Sequence, residues 1–163
     1  LRAEIDAVNE RVYHGVNNGV YRCGLAKTQA AYDEAFDLLF ETLDWLDARL
    51  ATQRYLVGGQ ITEADWRLLP SLLRFDLVYH GLFKCNQRTL ASYPNLAPYL
   101  RELYQIPAVA QSVNVAHFIR GYHSIPGINP TGIIPRGPID YAATLALPHD
   151  RARLPSALTY PTA

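Results

Sequence analysis

An all-α bundle followed by an extended arm is the fold class that the sequence predicts. Two long segments carry apolar residues at helical spacing, and one of them opens on a helix-capping pattern. Beyond Tyr122, prolines and glycines interleave so densely that neither a helix nor a long central strand survives. The chain therefore divides into a helical part, residues 1–123, and an arm, residues 124–163.

The elements follow in order. Leu1 to His14 reads as a helix with Ile5, Val8 and Val12 on one stripe, ending near Gly15 and the turn signal Asn17-Asn18-Gly19. A short bridge, Val20-Tyr21-Arg22-Cys23, then lies between Gly19 and Gly24. A connection between helices does not need a tyrosine, an arginine and a cysteine for packing, so these residues either plug a core or line a site. Thr28 is placed to N-cap the next helix, where Tyr32, Phe36, Leu39, Leu43, Leu46 and Leu50 make one apolar face. Asp33, Glu34, Glu41, Asp44 and Asp47 lie mostly off that face and solvate it. Gly58-Gly59 breaks the chain.

Thr62 with Asp65 three residues on resembles a capping box, with Ile61 as its hydrophobic staple. The helix they open carries two stripes, Leu68, Leu72, Phe75 and Tyr79 beside Trp66, Leu69 and Leu73, which suits a helix in the middle of a bundle. Pro70 is expected to kink it or to define a tight first turn. Tyr93 to Tyr104 reads as a shorter helix, and the stretch from Pro107 to Tyr122 as helical in two parts with a break near Asn114.

Composition narrows the function. At 163 residues, 49% apolar and 18% charged, the chain suits one globular domain. Fifteen basic residues balance fifteen acidic ones, leaving no positive excess to neutralise nucleic acid or an anionic membrane. No apolar run approaches a membrane span and no signal-peptide pattern opens the chain, so it reads as cytoplasmic. Two cysteines, Cys23 and Cys85, make neither a disulfide framework nor a zinc site and read as small packed thiols. The sequence has no methionine and begins at Leu1, the signature of a piece of a larger protein.

No HExxH, Ser-His-Asp constellation or phosphate loop appears among the five histidines and their neighbours. Of eleven tyrosines, most fall on apolar stripes. Three sit at element ends: Tyr21 on the bridge, Tyr79 two residues before Gly81, and Tyr122 ahead of the arm. From there a hydroxyl can reach a cleft and bond a ligand, or simply hold a nearby carbonyl.

The "ITEAD" cap resembles that of the C-terminal helical domain of cytosolic glutathione transferases. Three further stretches, "NNGVYRCGLAKTQAAYDEA", "RFDLVYHGLFKCN" and "INPTGIIPRGP", resemble the glutathionyl-hydroquinone reductases, the Xi-class transferases. The resemblance implies a two-domain enzyme that removes glutathione from glutathionyl-hydroquinones. A thioredoxin-like domain binds glutathione and carries the nucleophilic cysteine. That thiolate attacks the thioether sulfur, the hydroquinone leaves, and a second glutathione resolves the mixed disulfide. Neither Cys23 nor Cys85 matches that nucleophile, so this chain alone is expected to be inactive. The resemblance makes Tyr21, Tyr79 and Tyr122 the residues facing the quinol ring, with Tyr21 and Tyr122 assisting the chemistry. It implies a homodimer formed through the helical domain. Glutathione is the implied thiol, although a related thiol could replace it. The competing reading is a transferase-like helical module used for protein assembly, without chemistry.

Overall fold

A computed structural model describes residues 1–156; every described element is helical, as the apolar spacing predicts. The first helix, α1 (Arg2–Val12), runs into a widened π-type turn at Tyr13–Asn17. The bridge beyond it is not a loop but a short helix, α2 (Gly19–Gly24). Asn-Asn-Gly does mark a break, with Asn18 a turn residue between the π-type turn and α2, but the chain returns to helix at once at Gly19. Gly15 lies so close to α3 (Gln29–Leu50) that an added Cβ would stand 2.1 Å from Thr42 Oγ1. Gly24 meets the Phe83 ring in the same way, at 2.3 Å. The glycines therefore admit close neighbours rather than supply a turn.

Helix α3 forms the spine. Thr28 caps it, accepting from the Ala31 N–H at 3.2 Å, and Leu39, Leu43, Leu46 and Leu50 are completely buried. Asp47 departs from the expectation that it merely solvates this helix. It is buried, and its carboxylate accepts from the backbone N–H groups of Asn95 and Leu96 at 2.9 and 2.8 Å. A residue remote in sequence thereby caps α6 (Leu96–Tyr104), which starts three residues later than the pattern suggests.

Helix α4 (Glu63–Arg74) passes beside the spine. Asp65 is fully buried and reaches back to the Thr62 N–H at 2.8 Å, closing the capping box from its side. The same carboxylate takes the Leu56 N–H at 2.9 Å and the Tyr99 hydroxyl at 2.8 Å, tying the preceding loop and α6 to this cap. Leu69 and Leu73 are buried, whereas Trp66 is 41% exposed, so the second stripe is shorter than it reads. Pro70 is inside the helix on its exposed side. A π-type turn at Phe75–Tyr79 and the one-turn helix α5 (His80–Leu82) complete the segment.

The stretch after Tyr104 divides as its sequence suggests, into α7 (Pro107–Ser112) and α8 (Val115–His123), with Asn114 accepting from the His117 N–H at 2.9 Å. Beyond His123 the arm turns back onto the bundle and includes a short helix, α9 (Tyr141–Leu145), whose Tyr141 and Leu145 are buried. Arg151, 1% exposed, donates to the carbonyls of Leu50, Gln53 and Arg54 at 2.6–2.7 Å. It thus satisfies acceptors left over at the end of α3 and anchors the arm. Residues 157–163 of the arm lie outside the described residues.

Candidate functional site

The bridge residues separate cleanly. Arg22 pairs with Glu34 on the surface at 2.8 Å. Cys23 is buried beside Cys85, whose thiol faces the Val20 and Phe83 carbonyls at 4.0 and 3.8 Å. The hydrogen bond between the two thiols lowers the pKa of Cys23 and raises that of Cys85, and burial raises Cys85 further. Neither sulfur reaches the surface. Tyr21 points outward, 36% exposed, with no charged partner among the described residues to account for it.

Tyr21 does not stand alone. Its hydroxyl is 2.6 Å from that of Tyr122, which is 3.0 Å from that of Tyr79. Residues about one hundred positions apart meet because α2, the turn after α4, and α8 converge at one end of the bundle. Phe83 forms the floor: its ring stacks on Tyr79 with centroids 5.4 Å apart and presents its edge to Tyr21 and Tyr122 at 5.4 and 6.0 Å. The sequence reading passed over Phe83, although it lies four residues after Tyr79, as a neighbouring ring on one helical face would. The close approach of Gly24 to Phe83 sets where α2, and with it Tyr21, sits against this floor.

The three hydroxyls form one cluster. Tyr79, 2% exposed, shares a hydrogen bond with Tyr122, and Tyr122 shares one with Tyr21; either oxygen of each pair can be the donor. Tyr21 stands at the exposed end of the cluster and borders a cleft. Burial, reinforced by hydrogen bonding to its neighbours, raises the pKa of Tyr79 far beyond the ordinary phenol range. Burial and the bond to Tyr21 raise that of Tyr122 as well. At neutral pH these two are phenols, and the chain is a donor array. Beside it Asn18, Tyr21, Arg22 and Glu34 border a cleft of about 360 Å³, and Arg74, Phe118 and Tyr122 border another of about 230 Å³.

Comparison with known proteins gives this geometry a family. The profile of the glutathione S-transferase C-terminal domain matches residues 29–102. The chain is 54% identical over 139 residues to the glutathionyl-hydroquinone reductase PcpF of Sphingobium chlorophenolicum, a match covering 85% of this chain and 44% of that protein. It belongs to the glutathione transferases, as their C-terminal helical domain. The glutathionyl-hydroquinone reductase YqjG of Escherichia coli is 48% identical over 139 residues, 85% of this chain and 42% of that protein. The glutathione-bound structure of YqjG superposes with a TM-score of 0.89 at 46% identity, covering 93% of this chain and 49% of that one. A Xi-class transferase from Natrialba magadii superposes at 0.88 with 42% identity, covering 94% and 46%. This glutathione-transferase chain is of the Xi class, and it spans a little under half the length of the curated relatives it matches. No helix among the described residues is long and apolar enough to cross a membrane.

Proposed function

We propose that this chain is the quinol-binding half of a glutathionyl-hydroquinone reductase of the cytoplasm. The observation that carries the reading is the hydroxyl cluster Tyr79–Tyr122–Tyr21, which leads from the buried core to an exposed rim at Tyr21. When a thiolate takes the sulfur from the keto tautomer of the ring, the S–S bond forms as the C–S bond breaks. Its electron pair passes onto the ring as an enolate whose charge rests on a ring oxygen, and that oxygen takes a proton to give the free hydroquinone. A phenol aimed at such an oxygen stabilises that charge as it develops, and Tyr21 can pass a proton on as a general acid. Tyr122 backs Tyr21 through the hydrogen bond between their hydroxyls. Tyr79, shut off from the surface, positions Tyr122 and the ring cluster rather than touching the substrate.

The thiol chemistry belongs to the remainder of the protein. Cys23 and Cys85 are buried, so the nucleophile and the main glutathione contacts come from a thioredoxin-like domain of the same protein. The polar rim at Asn18, Arg22 and Glu34 is suited to meet the tripeptide where it adjoins the ring. The homodimer contact belongs to this helical half, where Trp66, Ile133 and Ile139 expose apolar surface.

The test is turnover of a glutathionyl-hydroquinone with glutathione by the full-length protein. The expected result is release of free hydroquinone and oxidised glutathione. Because burial raises the pKa values of Tyr79 and Tyr122, both keep their protons at neutral pH, and kcat is not expected to fall there through their titration. Absence of turnover, or a fall in kcat below neutrality traced to these tyrosines, contradicts the reading.

A further inference from the structure

Arg74 closes α4 next to the hydroxyl chain. Its guanidinium carbon stands 3.9 Å from the centre of the Phe118 ring, and one of its amino groups donates to the Pro70 carbonyl at 2.7 Å. Arg22, Arg54 and Arg67 are each paired with a glutamate. Arg74, by contrast, has no carboxylate partner among the described residues. It is half-buried, and it borders the cleft of about 230 Å³ whose other walls are His117, Phe118, Gly121, Tyr122 and Ile125. A guanidinium held over an aromatic face and bonded to a backbone carbonyl is restrained, and its remaining N–H groups form the planar fork that suits a carboxylate.

Resting on the quinol reading above, we propose that this cleft is a specificity subsite for a carboxylate substituent on the quinol ring, with Arg74 as its partner. Tyr122 is shared between the cleft and the hydroxyl chain. A ring whose oxygen meets Tyr21 and Tyr122 can therefore turn a substituted edge toward Arg74 without leaving the tyrosines. Phe118 and Ile125 supply apolar surface for that edge. The residues lining this cleft include no acidic side chain to oppose an anion. The preferred substrates are accordingly glutathionyl conjugates of dihydroxybenzoate-type acids over those of unsubstituted hydroquinone.

The experiment measures kcat/KM of the full-length protein for glutathionyl conjugates of hydroquinone and of 2,5-dihydroxybenzoate. It is repeated for Arg74→Gln and Arg74→Lys, and paired with calorimetric binding of the two free quinols. The wild type is expected to prefer the carboxylated conjugate. Arg74→Gln should lose about tenfold more on that conjugate than on the neutral one, and Arg74→Lys should recover part of the difference. An equal loss on both conjugates overturns the proposal. It would mean that Arg74 meets a carboxylate of glutathione, which both carry, or only supports Phe118. Absence of any loss overturns it as well. If neither conjugate turns over, the reductase reading falls and binding decides this inference separately. Tighter binding of 2,5-dihydroxybenzoate that depends on Arg74 upholds it, and equal binding of the two quinols overturns it.

Discussion

Asp65 opens α4 and Tyr79 closes the turn that follows it, and both are polar groups packed among apolar side chains. At the Asp65 end one carboxylate takes four donors: the N–H groups of Leu56 and Thr62 and the hydroxyls of Thr62 and Tyr99. Its acceptor capacity is used up, its neighbours are fixed, and none of it faces the surface. At the Tyr79 end, three hydroxyls bond only one another, which leaves part of their hydrogen-bonding capacity unused, and the outermost, Tyr21, is exposed. The first cluster is closed and holds the fold, whereas the second is open and waits for a partner. Burial does not separate them, since Asp65 and Tyr79 are almost equally buried. What separates a structural polar cluster from a ligand-facing one is whether its hydrogen-bonding capacity is exhausted.

Mutations at the two ends should therefore fail differently. The largest loss of stability is expected from Asp65→Ala, which strands several buried donors at once. About 4 kcal/mol, read from chemical denaturation, is the expected cost. A loss under about 1 kcal/mol would show that the cluster does not tie the loop and α6 to α4. Gly24→Ala comes next, at about 2 kcal/mol, because its methyl group would enter the Phe83 ring and one of the two must move. That variant bridges the comparison, since Phe83 is the floor of the open cluster. Its near-ultraviolet dichroism should change together with its stability. Tyr79→Phe is the mildest, at about 1 kcal/mol, since the ring stays packed and a single hydroxyl bond is lost. Its effect on the reaction should be a fall in the chemical rate smaller than that of Tyr21→Phe, since Tyr79 acts through Tyr122.

The closed cluster was the more legible of the two in sequence. Thr62 and Asp65 stand at capping-box spacing, and that signal is local. Its extension to Leu56 and Tyr99 is not, because those partners lie on other elements. The open cluster was legible only as three tyrosines at element ends with a family resemblance behind them. Spacing does not say that residues 21, 79 and 122 meet. Asn-Asn-Gly marked the break at Asn18 but not the short helix that follows it, and the approach of Thr42 and Phe83 to Gly15 and Gly24 is a tertiary fact that no local pattern shows. Asp47 capping α6 and Arg151 capping α3 were invisible on similar grounds. Each is a charged residue whose partners are backbone groups far away in the sequence.

The central claim is that the open cluster is open toward a quinol, with Tyr21 as its terminal donor. Tyr21→Phe in the full-length protein tests it most directly, by single-turnover release of hydroquinone alongside a denaturation curve. Tyr21 is partly exposed and its ring remains, so stability should change by less than about 1 kcal/mol. The chemical step should slow by roughly 100-fold, the cost of one lost donor aimed at developing charge. An unchanged rate, or a rate loss matched by an equal loss of folded protein, would contradict the account and return Tyr21 to the ranks of the packing tyrosines.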